Sequence, residues 1–136
     1  MTDAPKGLMD FVREAKSRIK EVDGDQLESM RQERPDLMIL DVRESSEHES
    51  AHIEGALLIP RGILEAAADT QYPKHSEVLV NARNRPVVVY CASGGRSAMA
   101  ADTLQKMGFR EVYSLAGGIE QWEKDSRPLV REARYV

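Results

Sequence analysis

Short runs of apolar residues at 37–40, 56–59 and 86–90 alternate along this chain with segments whose apolar positions recur three or four apart. Uninterrupted runs of that length read as strands buried on both faces, and the longer spacing reads as amphipathic helices. Leu8, Val12, Ala15 and Ile19 form a stripe that predicts a helix over 7–20, packed on the flank of the domain. Asp23, with Gln26 three residues on, is the pattern of a capping box opening a helix that runs through Gln32. A polar surface helix is expected over 44–51, an Ala-rich one over 63–69, and a short amphipathic segment within 70–85. Pro86 to Tyr90 is the clearest strand, uninterrupted and β-branched at Val87, Val88 and Val89. A helix over 97–107 follows, stopped by Gly108, then a strand over 111–115, the turn Gly117-Gly118 and a helix over 119–124 carrying Trp122 as a core anchor. Strands alternating with helices imply an α/β fold, with a parallel sheet covered by helices on both faces.

Composition narrows the class without naming a function. A chain of 136 residues with 41% hydrophobic and 31% charged residues fits one soluble globular domain. The formal net charge of −4 argues against a nucleic-acid partner. No run of ~20 apolar residues is present to span a membrane. Met1 to Lys20 lacks the apolar core of a signal peptide, and Asp3, Asp10 and Glu14 argue against a transit peptide, so the cytoplasm is the expected compartment. The single cysteine, Cys91, excludes an intrachain disulfide and a cysteine-cluster zinc site. His48 and His52 stand four apart, but Ile53-Glu54-Gly55 breaks the helix such a metal pair would need. No metal and no organic cofactor is expected.

Cys91 changes this picture. In open parallel sheets the functional site lies outside the carboxyl ends of the strands, and Cys91 directly follows the strand 86–90. The loop Cys91-Ala92-Ser93-Gly94-Gly95-Arg96 then runs into a helix beginning near Ser97. Paired glycines free the backbone to turn successive N–H groups inward around one point. The helix start adds orphan donors and the positive end of its dipole, and Arg96 adds a charge. Together these favour a thiolate and would cradle an anionic sulfur one bond further out. A nucleophilic, anion-binding cysteine loop is the chemistry these residue types support.

At these residues the chain resembles the rhodanese-like sulfurtransferases. Cys91-Ala92-Ser93-Gly94-Gly95-Arg96-Ser97 is similar to the family's active-site loop. Asp41-Val42-Arg43-Glu44, Glu47, His52-Ile53-Glu54-Gly55-Ala56 and Ile59-Pro60 resemble its upstream motifs. Gly108-Phe109, Val112-Tyr113, Leu115-Ala116-Gly117-Gly118 and Trp122 resemble its closing one. The resemblance implies a three-layer fold around a mostly parallel five-stranded sheet. It also implies a division into a flanking helix (1–21), a rhodanese-like domain (22–126) and a tail (127–136). The implied activity is sulfur transfer through a Cys91 persulfide, from thiosulfate or a small-molecule or protein persulfide to a thiol or cyanide. Cysteine-dependent phosphatases separate their Cys and Arg by five residues; here four intervene, and Tyr90 stands where they have histidine. Ala92 and Ser93 are neutral where some thiosulfate-using relatives are basic, which weakens the case for thiosulfate.

Other residues carry two readings each. Asp41 is either an N-cap for the 44–51 helix or a rim carboxylate pairing with Arg43 or Arg96, the structural role being preferred. Arg43 either orients the loop through a bidentate carboxylate pair or makes a surface ion pair. Arg61 is a candidate for lining the pocket, and Met99 for its entrance, with packing as the default for Met99. His52 is expected to be structural. A second class of function, a non-enzymatic binding module, is disfavoured because it needs neither Cys91 nor Arg96.

Overall fold

The computed structural model describes residues 4–131; Asp3 and the last five residues of the expected tail lie outside them. Five strands form one sheet in the order β1-β5-β4-β2-β3, every neighbouring pair parallel. They are β1 (Lys20–Val22), β2 (Met38–Asp41), β3 (Leu57–Leu58), β4 (Pro86–Tyr90) and β5 (Glu111–Leu115). The helices are α1 (Leu8–Lys16), α2 (Gly24–Glu33), α3 (Ser45–Ser50), α4 (Leu64–Ala68), α5 (Glu77–Val80), α6 (Gly95–Lys106) and α7 (Gly118–Lys124), with a 3₁₀ turn at Arg61–Ile63.

Side chains on successive strand residues point to opposite faces, so each buried run supplies two cores. Met38, Leu40, Val87, Val89 and Val112 pack with Leu64, Ala67, Leu79 and Leu104 on one face. Ile39, Val88, Tyr90 and Leu115 pack with Leu27, Ile119 and Trp122 on the other. Trp122 is almost fully buried and donates its indole N–H to the Pro128 carbonyl at 2.8 Å.

Two expectations are corrected. The helix expected over 7–20 ends at Lys16, and residues 20–22 form the edge strand β1, paired with β5. A three-residue strand carries too little pattern to be told from the end of a helix. The strand expected over 56–59 shrinks to Leu57–Leu58 at the other edge. The expected α/β fold with a five-stranded parallel sheet between two layers of helices is present, and all four strand pairs are parallel. The capping box at Asp23 is present, with Asp23 Oδ1 accepting from Gln26 N and Gln26 Oε1 from Asp23 N, each at 2.8 Å.

Candidate active site

Strand β4 runs buried through all five of its residues and delivers Cys91 to the carboxyl edge of the sheet. There the chain turns back into α6, which begins at Gly95 rather than near Ser97, so Gly95 and Arg96 lie in its first turn. Gly94 makes this turn with φ +107, a conformation that disfavours any side chain. The Cys91 sulfur accepts from Gly94 N at 3.1 Å and from Ser97 N at 3.3 Å. Ser97 Oγ lies 3.5 Å from Sγ and is held by Ser114 Oγ at 2.8 Å. The first-turn N–H groups of Gly95 and Arg96 have no acceptor within the helix, as at any helix start.

The loop is aimed from outside. The first turn of α7 donates Ile119 N to the Cys91 carbonyl (2.9 Å) and Glu120 N to the Ala92 carbonyl (3.0 Å). These two hydrogen bonds fix the direction of the first two carbonyls of the loop. Gly118 permits the approach: it has φ +59, and a Cβ there would stand 2.4 Å from the Ala92 oxygen. The sequence marks Gly117-Gly118 only as a turn; its contact with the Cys91 loop is a product of the fold.

The sites proposed around the loop separate into two groups. Arg96 leaves the loop and forms a two-pronged pair with Glu47 of α3, at 2.8 and 3.0 Å. That guanidinium, assisted by the Glu44 N–H, pulls the Glu47 carboxyl down to about 2 against the opposing push of burial. Glu47 is a partner that the motif contains but residue chemistry alone did not single out. Asp41 does not pair with Arg96 and does not cap α3, whose N-cap is Glu44. It is fully buried and accepts from Arg43 Nε and Nη2, from Tyr90 Oη at 3.0 Å and from His48 Nδ1 at 2.9 Å. Burial pushes its carboxyl up, but Arg43 and His48 outweigh burial and hold it below the ordinary value. Arg43 is equally buried, so the surface ion pair is excluded; it also donates to the Ala51 carbonyl at 2.6 Å. His52 stacks on His48 with ring centroids 3.8 Å apart and bridges to Val130.

A cavity of about 380 Å³ opens onto Cys91, lined by Leu8, Met9, Val12, Lys16, Ser93, Gly95, Arg96 and Met99. Arg61 is not part of its wall: it pairs with Glu65 and Thr103, so its proposed place in the pocket is corrected. Met99 does stand at the entrance. The helix α1, expected merely to flank the domain, supplies four of the lining residues. Among the described residues no group of three or more His, Cys, Asp and Glu side chains could hold a metal ion. Nor, among them, is any helix long and apolar enough to cross a membrane.

The family model for the rhodanese-like domain matches residues 23–125. The chain is 41% identical over 86 residues to a putative sulfur carrier protein, YrkF, of Bacillus subtilis, covering 63% of this chain and 41% of that one. It is 31% identical over 102 residues to a tRNA uridine(34) hydroxylase of Cronobacter sakazakii, covering 75% and 28%. The chain thus spans under half the length of the first of these relatives and under a third of the second. Among solved structures, a protein of unknown function from Rhodopseudomonas palustris, described as a possible tyrosine phosphatase, superposes with a TM-score of 0.85. It is 29% identical, and the match covers 96% of this chain and 98% of that one, well beyond the segment that the family model matches.

Proposed function

This chain belongs to the rhodanese-like domain family, and on that premise we propose that it is a sulfurtransferase in which Cys91 carries the sulfur as a persulfide. The observation that carries the reading is the pair of backbone N–H groups, Gly94 and Ser97, directed at the Cys91 sulfur at 3.1 and 3.3 Å. Donors held in place before reaction stabilise charge without reorganising, on the thiolate and on the persulfide alike.

The Cys91 thiolate attacks the outer sulfur of a donor such as thiosulfate. The new S–S bond forms as the old one breaks, and sulfite leaves with the electron pair. A thiolate or cyanide acceptor then attacks the outer sulfur of the persulfide and regenerates the Cys91 thiolate, with thiocyanate as the product in the case of cyanide. The putative sulfur carrier among the relatives supports the same chemistry. Buried Asp41, Arg43 and Tyr90 act as positioning residues beneath the loop.

The possible-phosphatase description of the structural relative favours a second reading. Four residues between Cys91 and Arg96, and an Arg96 already engaged by Glu47 in two hydrogen bonds, suit a single sulfur better than a phosphoryl group. Intact-mass measurement after incubation with thiosulfate or a persulfide donor decides between them. The expected result is a gain of one sulfur atom, removed by cyanide and absent in Cys91→Ser. Hydrolysis of p-nitrophenyl phosphate without any sulfur gain overturns the proposal.

A further inference from the structure

We propose that α1 is a specificity element of the Cys91 pocket, selecting singly charged sulfur donors with an apolar body over the small dianion thiosulfate. The inference rests on the sulfur-transfer reading above and names its donor class. Leu8, Met9 and Val12 line the cavity with Met99, so one wall comes from a segment N-terminal to residues 23–125 that match the family model.

The wall is built in. Val12 and Ala15 are buried, and Val12 Cγ2 would stand 3.5 Å from a Cβ at Gly95, in the first turn of α6. Just beyond α1, Arg18 forms a two-pronged pair with Asp102 of α6 at 2.9 and 2.8 Å, and Gln105 donates to the Arg18 carbonyl. By contrast Leu8 and Met9 are 67% and 57% exposed. Apolar side chains left open at the mouth of a reactive pocket gain free energy when a ligand covers them.

Charge points the same way. Among the described residues two cations line the cavity, and each faces a carboxylate: Arg96 pairs with Glu47 at 2.8 Å, and Lys16 lies 3.7 Å from Glu21. Ala92 and Ser93 add no charge. A dianion entering the cavity therefore loses hydration without meeting an uncompensated pair of cations. A single charge on the reacting sulfur group is served by the loop N–H groups, and an apolar body is served by Leu8, Met9 and Met99.

Three donors separate these terms. Thiosulfate and methanethiosulfonate differ mainly in charge; methanethiosulfonate and benzenethiosulfonate differ mainly in apolar body. Thiocyanate formation with cyanide is measured for each, with kcat/KM divided by that donor's rate with a free thiol. The expected order is benzenethiosulfonate over methanethiosulfonate by about tenfold, and methanethiosulfonate over thiosulfate by about tenfold, each step equal to about 1.4 kcal/mol. In the double variant Leu8→Ser/Met9→Ser the first ratio falls to within about twofold, whereas Met9→Leu retains it. Equal normalised use of thiosulfate and benzenethiosulfonate, or a ratio unaltered in the double variant, overturns the assignment while leaving sulfur transfer standing. Failure of all three donors and of a small-molecule persulfide to load Cys91 overturns the sulfur-transfer reading itself.

Discussion

Gly118 shows how much a single residue contributes to the site without touching the sulfur. Its missing Cβ lets α7 reach the Cys91 and Ala92 carbonyls, and a methyl there would meet the Ala92 oxygen at 2.4 Å and the Cys91 oxygen at 2.6 Å. Gly118→Ala is expected to cost more stability than the ~1–3 kcal/mol of a strained backbone alone, and to lower sulfur transfer at least tenfold. Gly55→Ala is the control, because Gly55 shares a positive φ, +81, but a methyl at that position would meet nothing within 4 Å. Urea denaturation and thiocyanate assays on both variants check this; equal losses would show that conformation rather than close approach is what matters at Gly118.

At the scale of elements, α1 and α3 have roles that the amphipathic pattern of one and the polar run of the other do not reveal. Helix α3 is short and has no buried residue, yet it places Glu47 on Arg96 and His48 on Asp41. Helix α1 is long enough to pack, and its seating on α6 is reinforced by the Arg18–Asp102 pair. Arg18→Ala removes that pair, which is half-exposed on the arginine side and so modest in strength. Amide exchange over residues 12–16 is expected to accelerate by about two- to fivefold, as weak local contacts are lost, with the amides of β4 unaffected. Hydrogen exchange read by mass spectrometry checks it. Uniform acceleration through both segments would mean that the pair supports the whole fold instead of α1.

Across the whole molecule, arginine–carboxylate pairs join elements distant in sequence: Glu47 with Arg96, Asp102 with Arg18 and Glu111 with Arg34. Each of these carboxyls is held below its ordinary value, chiefly by hydrogen bonding to its arginine. A carboxyl lowered by folding contributes stability that is fully present above its unfolded value and is lost as pH falls through its folded one. For Glu47 that window runs from 4.5 down to about 2. Urea midpoints are therefore expected to fall steadily from about pH 5 to about pH 2. Glu47→Gln should lower the midpoint near pH 5 and converge on the unsubstituted protein near pH 2. A constant offset between the two at all pH values would show that the Glu47 charge contributes nothing.

The strands β2, β4 and β5, the capping box at Asp23 and the Cys91 loop are all legible in the sequence. Each is a local pattern, whether an apolar run, a capping spacing, or a cysteine and two glycines between a strand and a helix. The edge strands β1 and β3 are legible only in part, because two or three residues hold no period and take their conformation from the neighbour they pair with. The Asp41–Arg43 pair is local enough to be offered by the sequence, and Glu47 stands in the motif, but the pairings across the fold are not legible. Glu47 is 49 residues from Arg96, Asp102 is 84 from Arg18, and the carbonyls that α7 orients are fixed by close approach across the sheet edge. The sequence by itself thus determined the placement of Cys91 at the end of a buried strand and the loop that follows it, since both follow from neighbouring residues. Only the tertiary structure decided what neutralises Arg96, what aims the loop, and that α1 stands over the pocket. Those depend on contacts whose sequence separation leaves no trace in any local pattern.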